Sequence, residues 1–100
     1  ACDISQATKR EVFARDHGCC IFCGSAWNVM PNAHFIPRSD GGLGIPENVV
    51  TACTRLTEND CHYQFDEGPE EIREELRAKA RAYLKEKYPD WDESKLYYQK

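Results

Sequence analysis

With 100 residues the chain has room for one small domain, and a chain this short buries little enough apolar surface that a staple is expected to help hold it. No apolar run is long enough to span a bilayer, and the leading ACDISQATKR lacks the apolar stretch of a signal peptide. The net charge of −4 points to weak affinity for nucleic acid without help, because that affinity comes largely from cations that displace counterions at phosphates. The excess is local: up to Thr57 five basic residues balance five acidic ones, while from Glu58 onward eight basic residues face twelve acidic ones.

Six cysteines are the candidate staple. In the cytosol, the location expected here, thiols stay reduced and clustered cysteines more often hold a metal than form disulfides. A secreted disulfide framework is the alternative.

In chain order, Thr8 with Glu11 has the form of a capping box, and Ser5 offers a cap one turn earlier. The short helix that follows stops near Gly18 and turns Val12 and Phe13 inward. Its Lys9, Arg10 and Arg15 are candidate phosphate contacts, though solvated surface is the commoner fate of such charges. Cys20 and Cys23 before Gly24 form a C-x-x-C-G knuckle, the tight turn that aims two thiolates at one ion; Cys19 competes with Cys20 as the first ligand. Trp27 to Met30 and Ala33 to Ile36 read as two short strands around a turn at Pro31-Asn32, and Pro37 ends the second. Ser39-Asp40-Gly41-Gly42 with Gly44 has the composition of an irregular loop, where glycine lets a backbone or a ligand come close. Ile45 to Thr51 restarts an extended run through Val49 and Val50.

Asn59 or Asp60 caps a helix that reaches Phe65. Cys61 and Phe65 then share one face, and His62 and Asp66 share another rotated by about 100 degrees. Gly68 breaks this helix and Pro69 opens the next, with Glu70 and Glu71 at the favourable end of its dipole. Ile72, Leu76, Ala80, Tyr83 and Leu84 mark its buried stripe as far as about Lys87, opposite a solvated, ion-paired face. Tyr88-Pro89 stops it, and Trp91, Leu96, Tyr97 and Tyr98 pack the tail back or form a partner surface.

Taken together, RDHGCCIFCG, AHFIPRSDGG, ENVV and CHYQFD resemble, in order and from about Arg15 to Asp66, the HNH nucleases of the ββα-metal superfamily. The likeness is greatest to the small HNH proteins of bacteriophages. It implies a small α+β domain covering residues 1–100, with the motif core at about 15–66 and a bracing helix and tail at about 69–100. Counting from Arg15-Asp16 in the family pattern selects Cys20 with Cys23, and the resemblance places Cys53 and Cys61 as the other half of a structural zinc site. It makes His34 the general base, gives Asn48 the task of holding the loop and strand that orient it, and assigns His62 and Asp66 to a catalytic divalent ion, Mg²⁺, Mn²⁺, Ni²⁺ or Zn²⁺. Arg38, within HFIPRS, joins Arg15, Lys9 and Arg10 as a DNA contact.

Two positions depart from the family pattern. Ala33 stands where Asp or His usually supplies a metal ligand, and Cys53 and Cys61 are farther apart than a C-x-x-C pair. The implied activity is metal-dependent cleavage of DNA phosphodiester bonds in the cytoplasm of a bacterial host, by a monomer or weak dimer acting beside the large subunit of the phage packaging terminase, with no membrane contact. The alternatives are a non-catalytic zinc module that binds DNA or protein, and a thiol-redox protein using Cys20 and Cys23.

Overall fold

Residues 2–54 and 59–98 are described in the computed structural model. Span 55–58, with Arg55 and part of the wide gap between Cys53 and Cys61, lies outside the described residues. The order is α1 (Gln6–Arg15), β1 (Val29–His34), β2 (Val49–Cys53), α2 (Cys61–Glu67) and α3 (Glu70–Lys87), with short 3-10 turns at Arg38–Asp40, Pro46–Asn48 and Glu93–Lys95. The two strands form an antiparallel sheet; α1 packs on both strands, and α2 bridges β2 and α3.

Helix α1 is capped by Ser5, whose Oγ accepts from the Thr8 N–H at 3.0 Å, so it begins one turn before the Thr8 box. Only Val12 of this helix is buried. Phe13, expected inside, is 42% exposed, because neighbours on a helix point about 100 degrees apart and a single contact face takes one of them.

Where two strands with a turn between them were expected, the chain forms one. Strand β1 runs through Pro31 and Asn32 with a bulge: Val29 and Met30 pair with Cys53 and Ala52, then Ala33 and His34 with Val50 and Val49. Three steps along β1 match two along β2. Proline has no N–H for the ladder, and an inserted residue accommodates it. Trp27 lies outside the strand and is 73% exposed. The expected extended run from Ile45 is a 3-10 turn at Pro46–Asn48 that delivers the chain into β2, all five residues of which are buried.

The core joins Ala33, Phe35, Val50, Phe65, Ala80 and Leu84 with Leu96 of the tail. Ile72 is exposed, so the stripe of α3 starts at Leu76, which is partly buried. Trp91 packs edge-on to Phe35 with ring centroids 5.5 Å apart and donates from Nε1 to the Glu47 carbonyl at 2.7 Å. The tail thus folds back as expected, with Tyr98 about half exposed and Tyr97 less so, while their backbones meet the glycine loop. At Gly42 that loop passes so close to Ile36 that a Cβ would lie 1.7 Å from its carbonyl oxygen. The close approach is of backbone to backbone.

A polar clamp locks these layers. Asp16, its side chain fully buried, accepts from Arg15 Nε at 2.7 Å and Nη2 at 3.0 Å, from the Thr51 N–H at 2.8 Å and from the Tyr83 hydroxyl at 2.6 Å. Arg15 also donates to the carbonyls of Pro46 and Val49, both at 2.7 Å. Burial acts against the Arg15 charge, yet its bonds to Asp16 and Tyr88 outweigh that and raise its pKa above the usual guanidinium value. Burial, and then the bond to Asp16, pushes the Tyr83 hydroxyl up as well.

Candidate metal centre and adjoining cleft

Four sulfurs converge where the knuckle, the end of β2 and the start of α2 meet. The Sγ atoms of Cys20, Cys23, Cys53 and Cys61 all lie within 4.8 Å of one another, and Cys23 and Cys53 are 3.8 Å apart. A tetrahedral zinc with bonds near 2.3 Å sets its sulfurs about 3.8 Å apart. The cluster therefore fits the ion. Gly24, at φ 80°, closes the knuckle with its N–H on the Cys20 carbonyl at 2.9 Å. The Cys61 N–H donates to Cys53 Sγ at 3.2 Å, so the wide gap between these cysteines is spanned without loss of the cluster.

Burial pushes the Cys20 and Cys61 thiols above their ordinary values, with Cys53 adding to the effect at Cys61. Burial opposes ionisation of Cys23 too, but the Ser25 backbone, the Asn59 side chain and the neighbouring thiols outweigh it and bring it down to about 7. Cys23 is therefore readier than Cys20 or Cys61 to meet a cation as a thiolate at neutral pH. Cys19 stays outside the cluster, on the His17 carbonyl at 3.4 Å, and Cys2 is also outside it.

Helix α2 carries the next feature on its other flank. Cys61 and Phe65 are buried, while His62 and Asp66 look out, Nε2 to Oδ2 at 3.1 Å. Adjacent ligands of an octahedral ion with bonds of about 2.1 Å lie about 3.0 Å apart, so the two side chains already have a spacing that one divalent ion accepts. They line a cleft of about 340 Å³ with Asn32, His34, Pro37, Arg38, Ser39 and Glu67.

His34 enters from the end of β1. Its Nε2 stands 3.0 Å from the Cys2 carbonyl oxygen. A carbonyl can only accept, so Nε2 is the donor of this bond and Nδ1 is the ring nitrogen left free of it. Asn48 is fully buried and does not reach the cleft; its Oδ1 accepts from the Ile36 N–H at 2.7 Å, and its Nδ2 donates to the carbonyls of Leu43 at 2.8 Å and Ile36 at 3.2 Å. It pins the two ends of the loop after β1. Asn48→Ala, which leaves these groups unpaired, is expected to cost about 2–3 kcal/mol in a urea titration.

Of the cations expected at DNA, Arg38 and Lys9 line a second hollow that shares Asn32 and His34 with the cleft, and Arg38 is ion-paired with Asp3. Arg10 is exposed on α1. Arg15 is not available: its guanidinium is spent inside on Asp16 and two carbonyls. Ala33 is fully buried in the core, facing away from the cleft side of β1. Asp16 is the residue that the sequence reading passed over; an acidic residue beside Arg15 gave no pattern from which a clamp across three elements could be read. No helix among the described residues is long and apolar enough to cross a membrane. Comparison with protein families, with curated proteins and with solved structures yields no match to this chain, which stands as a small α+β domain with a four-cysteine cluster able to hold zinc.

Proposed function

We propose that the protein is a divalent-ion-dependent endonuclease of the HNH type, which hydrolyses DNA phosphodiester bonds in the cleft between β1 and α2. The observation that carries this reading is convergence: His34 from a strand and His62 with Asp66 from a helix line one hollow, with Arg38 at its side. His34 acts through Nδ1, the ring nitrogen not engaged by Cys2, and in its neutral form takes the proton of the attacking water. Arg38 offers its charge to a phosphate once it parts from Asp3. His62 and Asp66 would hold the divalent ion, whose chemistry is to offset charge on the phosphoryl oxygens and stabilise the departing 3′ oxygen. The thiolate cluster keeps α2 in place.

Asp and Glu crowd the chain after Glu58, so the domain grips DNA weakly by itself and a partner with its own DNA contacts, such as a phage packaging terminase, would supply the rest. A non-catalytic zinc module is the rival reading. The cysteine cluster alone favours it, but it leaves the pairing of His34 with His62 and Asp66 without a use.

The test compares nicking of supercoiled plasmid by the zinc-loaded protein and by His34→Ala, with and without Mg²⁺ or Mn²⁺. Loss of the general base is expected to lower the metal-dependent rate about 10²- to 10⁴-fold with zinc content unchanged. Equal rates for the two proteins overturn the assignment.

A further inference from the structure

Among the residues that line the cleft, Asn32 is one that none of the roles above employs. Asn32 Oδ1 is buried and has no hydrogen-bond partner, one of three such side-chain atoms among the described residues, with Thr51 Oγ1 and Gln64 Oε1. A buried acceptor without a partner carries its desolvation cost with nothing to offset it, and a missing ion is one of the few conditions that account for one. Of the three, only Asn32 lines the cleft with His34, His62 and Asp66.

Strand geometry explains why it is there. Residues two apart share a face of a strand, so Asn32 stands beside His34 while Ala33 points into the core. The bulge between Met30 and Ala33 leaves Asn32 outside the paired register. An amide carbonyl is a hard oxygen donor of the kind that Mg²⁺, Mn²⁺ and Ca²⁺ accept readily.

We propose that Asn32 Oδ1 is a ligand of the cleft's divalent ion together with His62 and Asp66, supplying from β1 the contact that Ala33 cannot. The inference rests on the nuclease reading for the presence of the ion, and it adds a hard oxygen to the donor set, which makes the site more receptive to Mn²⁺ or Mg²⁺ than one imidazole and one carboxylate alone.

Binding, not activity, tests it. The zinc-loaded protein is titrated with Mn²⁺ and the unbound ion followed by its electron paramagnetic resonance signal, for wild type, Asn32→Ala, Asn32→Asp and His62→Ala, each with zinc content and circular dichroism checked. Wild type is expected to bind one Mn²⁺ at the cleft and His62→Ala to lose it. Asn32→Ala raises the Kd tenfold or more. Asn32→Asp, which keeps an oxygen and adds charge, lowers it, and this gain does not arise from a damaged fold. If both Asn32 variants bind Mn²⁺ as wild type does while His62→Ala fails, Asn32 is no ligand and the nuclease reading stands. If wild type binds no Mn²⁺ that His62→Ala abolishes, the inference falls and the divalent-ion reading falls with it.

Discussion

Removing zinc from the protein with a strong chelator is expected to unfold it, not merely to loosen one end. The four sulfurs bring the knuckle, β2 and α2 to one point where a zinc ion could join them, and three of the four cysteines are buried. Apparent zinc-binding free energies of about 10–16 kcal/mol in small thiolate domains equal or exceed the whole stability of a typical domain, about 5–15 kcal/mol. With so small an apolar core to offset chain entropy, the bare protein has little left to hold it. Helix α2 is the most exposed to this loss, because seven residues do not sustain a helix in water and its anchors are Cys61 and Phe65. His62 and Asp66 then lose their common orientation, so chelation also abolishes Mn²⁺ binding in the cleft. Elemental analysis, far-ultraviolet circular dichroism and a thermal melt, before and after chelation and for Cys61→Ser, give the check. A zinc-free protein with an unchanged melt would mean that the cluster is not the staple.

The second large effect is expected at Asp16, which is not one of the sulfur ligands. Asp16→Ala leaves the Arg15 guanidinium buried without its carboxylate and strands the Thr51 N–H and the Tyr83 hydroxyl. Breaking a buried pair by removing one partner costs about 3–5 kcal/mol, because the remaining charge is uncompensated. Asp16→Asn keeps the shape but not the charge, and it sets an amide donor among donors, so it is expected to recover little. Replacing both residues with apolar ones, Arg15→Met with Asp16→Leu, removes the charge problem and is expected to be milder than Asp16→Ala alone. Urea titrations of the three variants decide the matter; a loss under about 1 kcal/mol for Asp16→Ala would show that the clamp contributes little.

These two sites differ in how far the sequence revealed them. The cysteine knuckle and the spacing of Cys61 with His62 and Asp66 are local patterns, and helix geometry converts them directly into two flanks of α2. The caps, the break at Gly68 and the return of Trp91 and Leu96 to the core were legible for the same reason. Arg15 was misread because a basic residue near the end of a short helix looks solvated until its distant partners are known, and those are the Val49 carbonyl of β2, the Tyr88 hydroxyl and the face of the Tyr83 ring, far along the chain. Pro31 was read as a turn because proline usually punctuates. Pairing with β2 overrode that local preference. Asn32, between a proline and an alanine, had no motif at all, and its interest lies only in what it fails to touch.

The bulge at Pro31 and Asn32 has a consequence for how copies of this protein behave in a crowded solution. A sheet of two strands has bare rims, and a straight rim of open amides invites a neighbouring chain to dock and extend it. Here β1 is bent by an extra residue and lacks one donor, so it makes a poor template for such growth. The irregularity that leaves Asn32 outside the paired register thereby also guards the chain against stacking edge to edge with its own kind.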